Sequence, residues 1–155
     1  MGAASVDHLE EVTDEAIALM AQHGTVAGVL PITSVFSRLP FAPAKKMLDA
    51  GVRVALATDF NPGTSPTVNF PLILTLGVSE LRLSAAEAIV AATVNGAAAL
   101  ALAGETGQLA PGFAADLALF EIEDLRELPY WYGDRRCMGT WALGLPCHPY
   151  GLSVT

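Results

Sequence analysis

Positive charge is scarce in this sequence. Its 155 residues include eight lysines and arginines against sixteen aspartates and glutamates, which gives a formal net charge of −8. A nucleic-acid-binding protein needs a basic surface to neutralise phosphates, and the only adjacent basic pairs are Lys45-Lys46 and Arg135-Arg136. The charge balance therefore predicts no nucleic-acid partner. It also disfavours an anionic membrane surface, for the same electrostatic reason.

Cysteines and long apolar runs are scarce as well. Cys137 and Cys147 are the only two cysteines, and no uninterrupted apolar run reaches the roughly 18 residues of a membrane-spanning helix. The first residues lack the basic region and apolar core of a secretory signal, so we expect a cytoplasmic protein with reduced thiols and no membrane span. A disulfide between the two is the alternative. A metal cluster of Cys137, Cys147 and His148 is disfavoured because the spacing matches no common zinc pattern.

Charged residues make up only 15% of the chain, whereas apolar residues make up 52%. This composition excludes intrinsic disorder, which requires the opposite balance. It favours strands that are buried on both faces, or surfaces that are normally covered by more protein. Uncovered apolar faces drive association, so we expect a homo-oligomer or a larger assembly rather than an isolated monomer.

Apolar runs and helical patterns alternate along the chain up to about residue 103. Strand, helix, strand and helix in this order predict an α/β fold with a parallel sheet. After Gly104 the pattern changes to turns and short strands, which divides the chain into residues 1–103 and residues 104–155. The predicted helices span residues 13–24, 43–51 and 84–102, and the predicted strands span residues 25–30, 52–57, 115–120 and 139–143.

Asp59 directly follows the run at residues 52–58, at the end of a predicted buried strand where α/β folds place their active sites. A carboxylate there must be solvated, paired or bound to a metal, because burying it alone is costly. An aspartate that only caps a loop remains the alternative. The loop that follows offers Asn61 and Thr64 as donors and acceptors, and Gly63 permits close backbone approach to a ligand.

His8 also lies where a short apolar segment meets the loop before a helix. A structural histidine is the simpler interpretation. If both strand ends meet at one edge of a sheet, however, His8 and Asp59 could share general acid–base work at a metal-bound water. The neighbouring Asp7, Glu10 and Glu11 are interpreted as a solvated acidic surface.

The block ATDFNPGTSP at residues 57–66 is similar to the eighth-strand motif of the imidazolonepropionases, a family of metal-dependent amidohydrolases. Residues 2–10, GAASVDHLE, resemble the sixth-strand segment of that family, and the resemblance extends through residues 83–102, 107–116 and 128–133. The pattern at residues 107–116 is shared across the wider amidohydrolase superfamily and discriminates little. The resemblance therefore depends mainly on residues 57–66.

The resemblance implies part of a (β/α)8 TIM-like barrel. Residues 1–103 would supply about strands six to eight, and residues 104–155 would supply part of a β-sandwich. The implied reaction is hydrolysis of 4-imidazolone-5-propanoate to N-formimidoyl-L-glutamate in histidine degradation, with one zinc or iron ion. Asp59 would ligate the metal and hold the attacking water, and His8 would orient the reacting group. Asn61, Gly63 and Thr64 would contact the small-molecule substrate.

One departure from the family pattern is evident. The family has a His-x-His pair on its first strand and a histidine near its fifth, and this sequence contains neither. A hydrolytic zinc site uses three or more protein ligands, so we expect the chain alone to have no turnover. It would need a missing N-terminal half to complete the site. A non-catalytic remnant that serves as an interaction module, or a hydrolase of another cyclic amide or amidine, remains an alternative.

Overall fold

The computed structural model describes residues 2–147. A parallel sheet of three strands, β1 (Ser5–Asp7), β2 (Val26–Val29) and β3 (Val54–Leu56), lies at its centre in the order β1-β2-β3. Asp7 pairs with Gly28, and Gly28 pairs with Ala55, so the carboxyl ends of the three strands lie at one edge. The prediction of an α/β chain with a parallel sheet is confirmed.

Six α-helices accompany this sheet within residues 2–147. They are α1 (Asp14–His23), α2 (Pro31–Ser37), α3 (Ala44–Asp49), α4 (Phe70–Ser79), α5 (Ala85–Ala92) and α6 (Val94–Ala99). The ends of α1 follow from local chemistry. The Thr13 hydroxyl accepts a hydrogen bond from the Ala16 N–H at 3.3 Å, and Gly24 ends the helix with a φ of 69°.

Strands β2 and β3 are buried on both faces. Alternate residues point to opposite sides of a strand, so Val29 and Leu56 join Met47 and Ile73 in the main core under the helices. On the other face, Val26 and Ala55 pack against Ala98 of α6. Burial of each such aliphatic side chain contributes about 1.5–3 kcal/mol, which is why these short strands hold their places.

Three features differ from the predictions. The predicted helix at residues 84–102 is two helices, because Thr93 leaves the helical conformation (φ −121°, ψ −84°) and its hydroxyl bonds to the Ile89 carbonyl. Pro31, which directly follows the predicted strand at residues 25–30, is the first residue of α2, a helix that was not predicted, and proline is well tolerated there. Helix α4 lies in a segment for which the sequence pattern predicted no element.

Residues 104–147, called the tail below, contain a second sheet, which is antiparallel. Its strands are β4 (Leu117–Phe120), β5 (Cys137–Ala142) and β6 (Leu145–Cys147), in the order β4-β5-β6. Asp116 stabilises this sheet, because its carboxylate accepts hydrogen bonds from the Leu143 N–H at 2.8 Å and the Thr106 hydroxyl at 2.7 Å. These two donors hold the pKa of Asp116 below its ordinary value. The predicted strands at residues 115–120 and 139–143 are therefore confirmed, with shifted ends.

Within the tail, residues 124–132 contact the helices that cover the first sheet. A short 3-10 helix at Leu125–Glu127 contacts α5, and Leu128 packs against the main core. Asn69, the cap of α4, donates its side-chain N–H to the Tyr132 carbonyl at 3.0 Å. The division of the chain between residues 103 and 104 remains a prediction. The contacts of residues 124–132 with α4 and α5 join the two parts. Within residues 2–147, no helix has both the length and the apolar character needed to cross a membrane.

Candidate active site

The carboxyl edge of the parallel sheet brings the predicted site residues to one side of the molecule. His8 directly follows β1, Asp59 comes three residues after β3, and α2 begins two residues after β2 ends. Parallel strands in register place these three chain segments side by side. This edge is where α/β enzymes bind their ligands.

Asp59 is half-buried and held in an uncommon conformation. Its φ is 51°, a left-handed geometry that aspartate tolerates better than most residues. Its Oδ2 accepts the hydroxyl of Thr33 at 2.8 Å and, more weakly, the Asn61 amide at 3.4 Å. No hydrogen bond to its Oδ1 occurs within residues 2–147. One carboxylate oxygen is thus fixed by the protein, and the other is available to a ligand.

The loop after Asp59 is organised by the Asn61 side chain. Its Oδ1 accepts the N–H groups of Gly63 at 2.9 Å and Thr64 at 2.8 Å. Its Nδ2 donates to the Asp59 carbonyl at 2.7 Å and to the Thr64 hydroxyl at 3.2 Å. Ser65, which is fully buried, closes the loop by donating its hydroxyl to the Thr58 carbonyl. The loop is therefore held by hydrogen bonds between its own residues.

The three predicted substrate contacts lie in this loop beside Asp59. All four hydrogen-bonding positions of the Asn61 amide are used inside the loop, so its direct role in the structure is to hold the loop together. Gly63 is exposed and Thr64 is half-buried. Contact of Asn61, Gly63 or Thr64 with a substrate remains a prediction.

His8 is exposed at the same edge. Its side chain is 48% exposed, its φ is 73°, and its Nδ1 lies 3.5 Å from Glu10 Oε1. The same Glu10 oxygen accepts the hydroxyl of Ser34 at 3.4 Å. The Asp7 side chain lies over Gly28, where an added Cβ would come within 2.1 Å of Asp7 Oδ1. Any larger residue at position 28 would displace that carboxylate.

Sequence reasoning missed three residues at this edge. Glu10 was interpreted as part of a solvated surface, but its side chain is only 13% exposed and faces His8 and Ser34. Thr33 and Ser34 were not singled out at all. Their only signal in the sequence is their place two and three residues after Pro31, directly beyond a buried strand.

The donor set at this edge is insufficient for a metal ion. Residues 2–147 contain no group of three or more His, Cys, Asp or Glu side chains placed to bind one, whereas hydrolytic metal sites use at least three protein ligands. Cys137 and Cys147 are both exposed and free. His148 lies outside the described residues. Asp59 can therefore offer one ligand, but the described residues alone do not fit a metal centre.

Comparisons with known proteins agree with this architecture. The family model described as "Amidohydrolase family" matches residues 1–141. The chain is 44% identical to an imidazolonepropionase from Geobacillus thermodenitrificans over 133 residues, which is 86% of this chain and 31% of that protein. It is 45% identical to an imidazolonepropionase from Rubrobacter xylanophilus, over 86% of this chain and 32% of that protein. The chain thus spans about a third of the length of these curated relatives.

Solved structures show the same fold at lower identity. An adenosine deaminase from Xanthomonas campestris with bound zinc is 24% identical, with a TM-score of 0.78 over 92% of this chain and 36% of that chain. A guanine deaminase from E. coli is 21% identical, with a TM-score of 0.81 over 94% of this chain and 38% of that chain. The predicted relation to the TIM-barrel amidohydrolases is therefore confirmed at the level of fold.

Proposed function

The chain belongs to the amidohydrolase family, and from this premise we propose that it forms part of an imidazolonepropionase. The observation that carries the proposal is the loop at residues 57–66, where a half-buried aspartate follows a parallel strand and a hydrogen-bonded polar turn comes next. The identity of 44–45% to curated imidazolonepropionases supports this enzyme over others of the same fold.

In this proposal, residues 1–103 supply about strands six to eight of a (β/α)8 barrel, with β1, β2 and β3 in those places. The parallel order and the helices that follow β1, β2 and β3 support the assignment. Residues 104–155 supply part of a β-sandwich, and the antiparallel sheet β4-β5-β6 supports it. The remaining strands would cover the open edges of the parallel sheet, because unpaired edges otherwise invite association.

The proposed reaction is hydrolytic opening of the 4-imidazolone-5-propanoate ring to give N-formimidoyl-L-glutamate, in histidine degradation. Asp59 would hold the attacking water and accept its proton, with its free Oδ1 directed at the reacting centre. His8 would orient the ring group under attack, and Gly63 and Thr64 would contact the substrate. Asn61 would act mainly by keeping this loop in shape, since its amide is occupied there.

A zinc or iron ion is part of the proposal for the complete enzyme. Such an ion lowers the pKa of a bound water and so supplies hydroxide near neutral pH. Asp59 would be one ligand. Residues 2–147 contain no set of three donors, so the other ligands would come from elsewhere in the complete enzyme. We therefore expect the 155-residue chain alone to bind metal weakly and to show no turnover.

A chimera tests the proposal. The matched segment of the Geobacillus thermodenitrificans imidazolonepropionase would be replaced by the corresponding segment of this chain, and hydrolysis of 4-imidazolone-5-propanoate would be followed. We expect turnover, and we expect Asp59→Asn to lower kcat by at least about 100-fold, because a positioned acid–base group contributes about that much. Asp49→Asn, on the exposed side of α3, is the matched control and should leave kcat unchanged.

Three outcomes would each contradict a part of the proposal. A folded chimera without hydrolysis would favour a non-catalytic remnant, the alternative supported by the lack of any three-donor group within residues 2–147. A chimera that prefers another cyclic amide or amidine would keep the reaction class and change the substrate. Measurable hydrolysis by the 155-residue chain alone, with added zinc or iron, would contradict the expectation that its site is incomplete.

Self-association is also part of the proposal. Apolar side chains are exposed across the tail sheet, among them Leu119, Met138 and Leu145, and such surfaces favour association. Size-exclusion chromatography of the 155-residue chain should show species larger than its 16.1 kDa mass. A single monomeric peak with cooperative melting would contradict this.

A further inference from the structure

The first turn of α2 carries two buried hydroxyl groups toward the candidate active site. Thr33 and Ser34 are 6% and 3% exposed. Serine and threonine inside helices often bond to the carbonyl four residues earlier. Here those carbonyls already have partners, since Val29 O accepts the Ala57 N–H and Leu30 O accepts the Thr33 N–H. Both hydroxyls instead donate to acidic side chains on other segments.

We propose that Thr33 is a positioning residue for Asp59, an inference that rests on the proposed role of Asp59. The Thr33 hydroxyl donates to Asp59 Oδ2 at 2.8 Å, a normal length for an O–H···O hydrogen bond. Thr33 lies in α2, a helix that starts two residues after β2 ends. Its hydroxyl therefore fixes the rotation of the Asp59 carboxylate.

This contact decides which oxygen of Asp59 is free. Oδ2 is occupied by Thr33 and, at 3.4 Å, by Asn61, so Oδ1 is the oxygen presented to water or substrate. Without the Thr33 hydroxyl, the carboxylate would be held mainly by the longer Asn61 contact and could rotate. A small rotation is costly in catalysis, because a misplaced reacting group loses much of the advantage of orientation.

The adjacent hydroxyl makes a second, longer connection. Ser34 donates to Glu10 Oε1 at 3.4 Å, and the same oxygen lies 3.5 Å from His8 Nδ1. The first turn of α2 thus contacts the loops that follow both β1 and β3. Consecutive residues of α2 contact Asp59 directly and His8 only through Glu10, and the Thr33 contact is the shorter of the two.

Paired variants of the hydrolytic chimera test the inference. Thr33→Val replaces the hydroxyl by a methyl group of similar size, and Thr33→Ala and Thr33→Ser differ from each other only by the hydroxyl. We expect Thr33→Val and Thr33→Ala to lower kcat by about 10-fold or more, with KM little changed, as losing a partner that orients an active-site ligand does. Thr33→Ser should restore most of kcat. Ser37→Ala, an exposed position on the same helix, is the control.

A second readout uses the full 155-residue chain and needs no activity. Hydrogen exchange at the backbone N–H groups of residues 59–61 and 63–65 should be faster in Thr33→Val than in the unmodified chain, and Thr33→Ser should restore the slow rates. Equal impairment of kcat by Thr33→Val and Thr33→Ser, or exchange rates that do not follow the hydroxyl, would overturn the inference.

The outcomes separate this inference from the proposed function. If Asp59→Asn abolishes hydrolysis while Thr33→Val and Thr33→Ala behave like the parent chimera, the function stands and the inference is wrong. If the chimera shows no hydrolysis, the proposed function fails, and the exchange rates still decide whether Thr33 fixes this loop. If Thr33→Val does not fold, the comparison of Thr33→Ala with Thr33→Ser decides.

Discussion

The two sheets of this chain have three strands each, but their surroundings are opposite. In the parallel sheet, β2 and β3 are buried throughout and helices cover both faces. In the antiparallel sheet β4-β5-β6, most residues are exposed on both faces. The candidate active site lies at the edge of the buried sheet. The difference indicates that stability resides mainly in the first sheet, whereas the second has hydrogen bonds but little core of its own.

Two methionines give the largest test of this contrast. Met47 is fully buried beneath the parallel sheet, and Met138 on β5 is 55% exposed. Met47→Ala should lower the free energy of unfolding by about 2–5 kcal/mol, because it leaves a cavity in a packed core. Met138→Ala should change it by less than about 0.5 kcal/mol. Chemical denaturation would measure both, and similar losses would show that the tail sheet has a core after all.

Asn95 tests how firmly α6 is joined to the parallel sheet. Its buried side-chain amide donates to the Val54 carbonyl at 2.8 Å. Asn95→Ala should lower the free energy of unfolding by about 1–3 kcal/mol, because that carbonyl loses a partner in a buried place. Gln108→Ala, an exposed amide in the tail, is the control and should have little effect. An equally mild effect at both positions would contradict the importance of this contact.

The helix cap at Ser84 should contribute less. The Ser84 hydroxyl accepts the Glu87 N–H at 3.2 Å, and the Glu87 carboxylate accepts the Ser84 N–H at 2.7 Å. Ser84→Ala should lower the free energy of unfolding by about 1 kcal/mol. Ser79→Ala, at the exposed end of α4, removes a hydroxyl that has no such cap to make. The difference between their thermal midpoints measures the cap.

Acid pH should have the smallest effect on the free energy of unfolding. One carboxylate in each region allows this effect to be compared between the two regions. The Ser84 N–H and the Lys45 ammonium hold the pKa of Glu87 at about 2, below its ordinary 4.5. The ionised form therefore stabilises the fold above pH 4.5, and that contribution is lost as pH falls from about 4.5 to about 2. Glu87→Gln should flatten the stability profile in this window only.

Asp124 is the counterpart in the tail. Arg126 holds its pKa at about 2 as well, but the Arg126 side chain is 82% exposed and its pairing is screened by water. Asp124→Asn should therefore change the acid profile less than Glu87→Gln does. Urea unfolding at several pH values would compare the two. A larger change from Asp124→Asn would mean that the tail depends on this ion pair more than its exposure suggests.

Local sequence patterns predicted the elements that have clear ends. Thr13 and Gly24 bracket α1, Ser84 begins α5, and the apolar run at residues 52–57 contains β3. The sequence pattern did not predict the structure where one residue type is compatible with two kinds of element. Pro31 can end a strand or begin a helix, and only the neighbouring structure shows that it does both. The break at Thr93 was hidden by the alanine-rich sequence on either side.

The candidate site divides in the same way. Asp59 and His8 could be found because each directly follows an apolar segment, and strand ends in α/β folds carry chemistry. The roles of Thr33, Ser34 and Glu10 could not, because their contacts join segments 24 to 26 residues apart in the chain. The sequence also could not predict that the Asn61 amide forms its hydrogen bonds within the loop, since these bonds depend on how the loop folds back on itself.

The sequence by itself determined the alternation of strands and helices, the place of Asp59 at a strand end, and the family of the chain. Local spacing of apolar residues, caps and a ten-residue motif is sufficient for these. Only the tertiary structure decided which hydroxyl holds Asp59, which oxygen it leaves free, and which sheet is buried. These depend on groups that are distant in the chain, and hydrogen bonds and burial act through space rather than along the sequence.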